Sequence, residues 1–61
     1  MQVTRTFQLE REARKGGGDR YTQLPSKEEP SINETIYIDQ QVSRKEGKPR
    51  KTLVITVETL D

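Results

Sequence analysis

Five cationic side chains lie close together in the second half of this sequence: Arg44, Lys45, Lys48, Arg50 and Lys51. Only Glu46 lies among them, so five cations against one acid give residues 44–51 a local charge of +4. Lysine and arginine neutralise backbone phosphates, and the two tyrosines, Tyr21 and Tyr37, offer stacking surfaces if they emerge on an exposed sheet face. One function that the sequence predicts is therefore a weak, charge-driven nucleic-acid contact made by these five cations.

The charge of the whole chain argues against a dedicated nucleic-acid binder. Its net charge is +1 and its pI is 8.1, whereas nucleic-acid-binding domains have a pI above about 9. A cationic run at a turn is more often a solvated loop. Nucleic acid is therefore a possible partner but not the favoured one.

The residue types needed for most catalysis are missing. The sequence contains no Cys and no His, which excludes thiol nucleophiles, imidazole bases and soft-metal sites. Two acidic pairs, Glu10 with Glu12 and Glu28 with Glu29, lie away from the apolar segments that could form a substrate pocket. We therefore predict no catalytic, cofactor-binding or metal-binding residue, and a protein that is not an enzyme.

A glycine-rich segment between cations is the next candidate. Arg14, Lys15 and Arg20 flank Gly16-Gly17-Gly18-Asp19, and free backbone amides beside cations can form an anion-binding nest. The segment lacks the Lys-Ser/Thr ending of a phosphate loop, and no helix is predicted after it. The sequence favours a loop at a hairpin tip, made soluble by its charges.

A protein interface is the function that the sequence favours. Tyr37 and Val54 are predicted to form an outward apolar pair, and tyrosine is enriched among interface anchors. Strands at a sheet margin also leave amides and carbonyls that another chain can pair with. The leading prediction is a small non-enzymatic protein-interaction module whose partner is a second copy or another protein.

The elements that position these residues are strands. Leu53, Ile55 and Val57 alternate with polar or smaller residues, and Ile36 and Ile38 do the same. Alternation rich in Val, Ile and Thr is typical of strands. The N-terminal segment shows a similar alternation, and the glycines at residues 16–18 and at residue 47 predict two hairpin turns.

These patterns predict an all-β fold, a small antiparallel sheet of about four strands built from two hairpins. The second hairpin is predicted to pair Ile36 with Val57 and Ile38 with Ile55, which keeps all four on one face. Its first strand is predicted to extend towards Val42. For the first hairpin two registers stay open, one pairing Leu9 with Leu24 and the other Ala13 with Tyr21.

The predicted apolar face has no helix to cover it. One domain spanning residues 1–61 contains little apolar material, since only 28% of its residues are hydrophobic. Domains this small rarely obtain more than about 3–5 kcal/mol from one core and are often stabilised by oligomerisation. We therefore expect the sheet to curl or, preferably, to pack as a homodimer.

The composition also predicts a compartment. The lack of cysteine favours a reducing cytoplasm. The N-terminus has no apolar run of the kind found in signal peptides, and the longest apolar stretch, residues 53–55, is far shorter than a membrane span of about 20 residues. We predict a cytoplasmic protein with no membrane partner.

The order of landmarks along the chain resembles a family of small single-domain prokaryotic β proteins that carry no assigned activity. The landmarks are Phe7-Gln8-Leu9, Tyr21 before a proline-rich link, Ile36-Tyr37-Ile38, Pro49 and the strand at residues 53–58. The resemblance implies a compact β domain and no particular chemistry. The charged residues 10–15 and the three glycines depart from the pattern of that family.

Overall fold

The computed structural model describes residues 1–27 and 30–60. Its elements in chain order are β1 (Gln2–Arg11), β2 (Gly18–Gln23), β3 (Thr35–Asp39), the short helical turn α1 (Gln40–Ser43), β4 (Arg44–Lys45), β5 (Lys48–Pro49) and β6 (Thr52–Glu58). The predicted all-β antiparallel fold is confirmed. The acidic pair Glu28 and Glu29 lies outside the described residues.

Four strands form one curled antiparallel sheet in the order β3-β2-β1-β6. The N-terminal strand β1 lies inside this sheet, between β2 and the C-terminal strand β6. Phe7 of β1 is opposite Gln23 on one side and Leu53 on the other. The strands β4 and β5 form a separate two-stranded hairpin.

Strand alternation separates the two faces of the four-stranded sheet. The buried face carries Phe7 and Tyr21, both of which are 0% exposed. Tyr21 is opposite Leu9 on β1 and Ile36 on β3, and these two neighbours are half-buried. The residues that alternate with these along each strand lie on the outer face. The core is therefore two aromatic rings surrounded by half-buried aliphatic side chains.

The predicted pairing of the second hairpin is wrong. Strand β6 pairs with β1, whereas β3 pairs with β2, so that Ile36 is opposite Tyr21 and Ile38 is opposite Asp19. The turn at residues 46–47 does form, and Arg44 opposite Pro49 continues the predicted register.

That short ladder stops because α1 begins directly after β3. The Oδ1 atom of Asp39 accepts a hydrogen bond from the Gln41 amide at 2.8 Å and caps the helical turn, as N-cap aspartates do. Val42, predicted to extend the strand, lies in α1 and is exposed. The chain therefore leaves the sheet after Asp39, and β3 does not continue into a ladder with β6.

The first hairpin adopts neither of the two predicted registers. Leu9 is opposite Tyr21, and a bulge between Leu9 and Arg11 shifts the pairing so that Arg11 is opposite Arg20. Gly18 and Asp19, predicted as loop, belong to β2. Residues 12–17, which we call the glycine loop, connect the two strands.

The connections of the chain cover part of the buried face. The hydroxyl of Tyr21 donates to the Arg50 carbonyl at 2.6 Å, and the hydroxyl of Ser43, itself fully buried, donates to Asp19. Farther along the sheet, the Ile32 amide donates to Gln23 Oε1 at 3.0 Å. The segment from α1 to β5 therefore crosses this face between the two edge strands. Within the described residues no helix has the length and apolarity needed to cross a membrane.

Candidate functional site

A buried ion pair lies between β2 and the segment that crosses the sheet. The carboxylate of Asp19 is fully buried. Its Oδ1 accepts from Arg44 Nη2 at 2.8 Å and from the Ala13 amide at 2.8 Å, and its Oδ2 accepts from Arg44 Nε at 3.0 Å and from Ser43 Oγ at 2.6 Å. We call these four residues the Asp19 cluster. A bidentate guanidinium–carboxylate pair of this kind holds both side chains in one orientation.

The local sequence brings the Asp19 cluster together. Gly18 allows the backbone of β3 to approach closely, since a Cβ at this position would lie 2.9 Å from the Ile38 carbonyl oxygen. Arg44 Nη2 also donates to the Ala13 carbonyl at 3.1 Å. The side chain of Gln40 donates to the carbonyls of Lys15 and Gly17 at 2.8 and 2.9 Å. These contacts fix the glycine loop against α1.

The pKa values of three side chains in and next to the Asp19 cluster differ from their ordinary values. The hydrogen bonds from Arg44 hold the pKa of Asp19 well below its ordinary value of 3.8, with further lowering from Ser43 and the Ala13 amide, although burial acts in the opposite direction. The same bond raises the pKa of Arg44. Burial raises the pKa of the Tyr21 hydroxyl, and the nearby charge of Asp19 raises it further.

The Asp19 cluster is a structural feature. Each oxygen of Asp19 accepts two hydrogen bonds, and Arg44 Nε and Nη2 both donate to it, so the two charges are directed at each other. The cluster joins β2, the glycine loop and the start of β4. It also removes Arg44 from the set of freely exposed cations that the sequence predicted to contact nucleic acid.

The ionisation of Asp19 should persist in acid. Its pKa is lower in the folded chain than in the unfolded chain, so the ion pair stabilises the fold fully above the ordinary value of 3.8, and this stability is lost as the pH falls towards the folded value. At about pH 3 we expect the carboxyl carbon of Asp19 to keep the NMR shift of an ionised group, whereas an unperturbed aspartate is mostly protonated there. Titration of Asp19 near its ordinary pKa would contradict the observed hydrogen bonding.

The other four predicted cations are exposed. Lys45 and Lys48 face each other on the β4–β5 hairpin, with Glu46 and Gly47 at its turn in positive-φ conformations of 59° and 82°. Arg50 and Lys51 follow directly, and all four side chains are exposed. We call these four residues the basic hairpin. They surround a shallow concavity, and their contact with nucleic acid stays a prediction.

The predicted interface residues Tyr37 and Val54 are both exposed, at 58% and 68% respectively. Both side chains are on the outer face of the sheet. Tyr37 lies on β3 and Val54 on β6, which are the two edge strands. Three strand spacings of about 4.8 Å therefore separate them. The structure does not bring them together as a pair, so each belongs to its own surface.

Tyr37 lies instead beside arginines. A groove on the outer face is lined by Arg11, Arg14, Arg20, the glycine loop and Tyr37. Arg20 is directly opposite Tyr37 in the β2–β3 ladder. The sequence shows arginines next to the glycines but does not connect them with Tyr37, because that link depends on the register of two strand pairs.

Comparison with known proteins identifies no relative. No family model matches the chain, and no curated protein or solved structure matches it. Within the described residues no group of acidic side chains could hold a metal ion. Function must therefore be argued from the surfaces themselves.

A third surface lies at the C-terminal strand. The outer edge of β6 has no strand beside it in the described chain. At one end of β6, an apolar cleft of about 290 Å³ is lined by Met1, Val3, Pro30, Ile32 and Val57, together with Ser31 and Thr59. Tyr21, predicted as a stacking surface if exposed, is buried and belongs to the core.

Proposed function

We propose that this chain is a non-catalytic protein-interaction module that associates with a second copy of itself through β6. The observation that carries the proposal is the open edge of this seven-residue strand. Pairing between two copies of β6 would join their sheets into one. This proposal keeps Val54 as the interface residue that the sequence predicted.

The backbone hydrogen bonds show which groups of β6 point outward. The Thr59 amide donates to the Met1 carbonyl at 2.8 Å, and the Lys51 carbonyl accepts from the Leu9 amide at 2.7 Å. Along a strand, the amide and carbonyl of one residue point to the same side, and those of the next residue point to the other. The odd-numbered residues of β6 therefore face β1, while the even-numbered ones face outward: Thr52, Val54, Thr56 and Glu58.

This edge has few of the features that keep natural sheet edges apart. Protected edges are short, twisted by bulges, or carry lysine or proline. Strand β6 pairs with β1 without a register shift, contains no proline, and has Glu58 at its end as its one charged residue. Its middle is a run of β-branched residues, with Val54 exposed to solvent. Such an edge favours pairing with another strand.

The surface area of the chain also supports a partner. The chain exposes 5068 Å², whereas a compact monomer of its mass exposes about 4,100 Å². The excess of about 1,000 Å² is comparable to the area that each partner buries in a standard protein–protein interface, about 800 Å².

We favour a register in which a two-fold axis at Ile55 relates the two antiparallel copies of β6. It places Ile55 opposite Ile55 of the second copy and Leu53 opposite Val57, so that the half-buried faces of both sheets become continuous. On the outer face, Glu58 lies opposite Thr52 of the second copy. The proposed dimer therefore pairs apolar residues with apolar residues on the half-buried face and brings no like charges together along β6.

Val54→Pro tests this proposal because it removes one outward-facing amide and no hydrogen bond to β1. At high micromolar concentration, light scattering should give the wild-type protein twice the chain mass of 7.1 kDa. The Val54→Pro variant should have the mass of one chain. Far-UV circular dichroism should show that the variant keeps its strands, since proline is tolerated at a sheet edge.

Val54→Thr is the matched control. It keeps the amide and the β-branched shape, so it should remain a dimer. A wild-type chain that is monomeric at this concentration would refute the proposal, as would a Val54→Pro variant that still dimerises. A cytoplasmic location remains part of the proposal and depends on the cysteine-free composition.

A further inference from the structure

We propose that the groove between the glycine loop and β3 binds single-stranded nucleic acid, with a base stacked on Tyr37 and phosphates held by Arg11 and Arg14. This site differs from the basic hairpin, which lies over the other face of the sheet. It also lies at the opposite edge from β6. The proposal therefore does not depend on self-association.

The groove combines cations with an aromatic ring. It has a volume of about 570 Å³ and is partly open to solvent. Its lining includes three arginines and one acid, Glu12. Neither Arg11 nor Arg14 forms an ion pair within the described residues. These two guanidinium groups are therefore available to an anionic ligand.

Arg20 is held in place by an acid on β1. Its Nε lies 2.8 Å from Glu10 Oε2, and Glu10 Oε1 accepts from the Thr22 hydroxyl at 3.0 Å. Arg20 is directly opposite Tyr37 in the β2–β3 ladder. The floor of the groove next to the tyrosine is therefore an ordered polar surface.

Tyr37 is suited to stacking and Tyr21 is not. The side chain of Tyr37 is 58% exposed on the outer face of an edge strand, whereas Tyr21 is buried with its hydroxyl bonded to Arg50. Proteins that bind single strands combine a cationic groove with exposed aromatic rings on which bases stack. Tyr37 beside Arg11 and Arg14 provides both parts.

The glycine loop is preorganised and open. Gln40 donates to the carbonyls of Lys15 and Gly17, and the Asp19 carboxylate accepts from the Ala13 amide. Gly17 has a φ of 90°, and a Cβ at Gly16 or Gly17 would meet nothing within 4 Å. A sugar–phosphate backbone can therefore approach the loop closely, and little ordering is required on binding.

The combination of two arginines with an exposed aromatic ring indicates which class of ligand the groove binds. Phosphate alone would use the arginines but not the ring, and a duplex keeps its bases stacked on one another and away from Tyr37. An unpaired nucleotide presents a phosphate and a free base face together, and within a strand a neighbouring phosphate is available to the second arginine. The groove therefore fits one or two nucleotides of a single strand.

Fluorescence anisotropy with a labelled oligothymidine of about 12 nucleotides at about 50 mM salt measures the binding. Tyr37→Ala should weaken binding about ten-fold or more, because stacking on the ring is lost. Tyr37→Phe keeps the ring and should bind within about two-fold of wild type. A duplex of the same length should bind more weakly than the single strand.

The charges are tested by the salt dependence. Arg11→Gln and Arg14→Gln should each reduce the slope of log K against log salt by about 0.7. Lys45→Gln and Lys48→Gln remove the same charge from the basic hairpin and are the matched controls, with little expected effect. These four side chains are exposed, so the variants should fold.

Three results would overturn the proposal. The first is no binding of the oligonucleotide at about 100 µM protein and about 50 mM salt, where electrostatic contacts are strong. The second is a Tyr37→Ala variant that binds like wild type. The third is a larger loss with the basic-hairpin variants than with Arg11→Gln and Arg14→Gln, which would assign binding to the other face. None of these results bears on dimerisation through β6.

Discussion

Asp19→Asn should lower the free energy of unfolding by about 3 kcal/mol, the lower end of the cost of breaking a buried ion pair. The lower end applies because Arg44 remains 20% exposed while Asp19 is fully buried. Chains of this size rarely hold more than about 3–5 kcal/mol in total. The variant should therefore keep no more than about 2 kcal/mol of stability, which a urea titration followed by circular dichroism at neutral pH would show as a much earlier unfolding midpoint.

Arg20→Gln is the control for this experiment. It breaks an ion pair with the same 2.8 Å separation, but one that is partly exposed, so the loss should be below about 1 kcal/mol. Adding Arg44→Met to Asp19→Asn should recover some stability, because the unpaired guanidinium is then removed. If Asp19→Asn costs no more than Arg20→Gln, the Asp19 cluster does not hold the sheet and its connections together.

Gly18→Ala should cost about 2 kcal/mol or more through a backbone clash. The added Cβ would lie 2.9 Å from the carbonyl oxygen of Ile38 and 3.0 Å from its N and C atoms. These are atoms of the neighbouring strand, and Gly18 pairs there with Asp39, the cap of α1. Relief of the clash therefore requires β3 to move away from β2. The loss should appear in urea unfolding and as faster amide exchange along β3.

Gly16→Ala is the matched control two residues away. A Cβ at Gly16 would meet nothing within 4 Å, and the φ of this residue is not positive. The alanine should be neutral or should stabilise the chain by up to about 1 kcal/mol, because it reduces the entropy of the unfolded state. Equal losses at both positions would mean that β2 and β3 do not approach as closely as the structure shows.

The strands themselves could be predicted from the sequence because their signal is local. Alternating β-branched residues at 53–57 and around Ile36 and Ile38 indicate strands whatever they pair with. The partners could not be predicted in the same way. Both β1 and β3 carry apolar residues on one face, so either could pair with β6. The α1 turn, capped by Asp39, separates β3 from β6. An aspartate followed by residues that can enter a helical turn was the available signal.

The sites were harder to predict because they depend on register. Asp19 has the same strand parity as Tyr21, which would have placed its carboxylate on the buried face once Gly18 and Asp19 were assigned to β2. The bulge after Leu9 then decides which arginine lies near Tyr37. Glycines permit several registers, so neither the buried ion pair nor the groove could be derived from residue types alone.

The inner position of β1 has a consequence for how the chain folds. Its ladder with β6 runs from Gln8 opposite Thr52 to Gln2 opposite Glu58, so the paired residues lie 44 to 56 positions apart in a chain of 61. Loop-closure entropy must be overcome before such distant contacts stabilise anything, and proteins rich in them fold slowly. We expect β1, β2 and β3 to assemble first as a meander. The N-terminal strand then keeps one edge open until the last strand arrives, which is the period in which the chain is most prone to pair with the wrong partner.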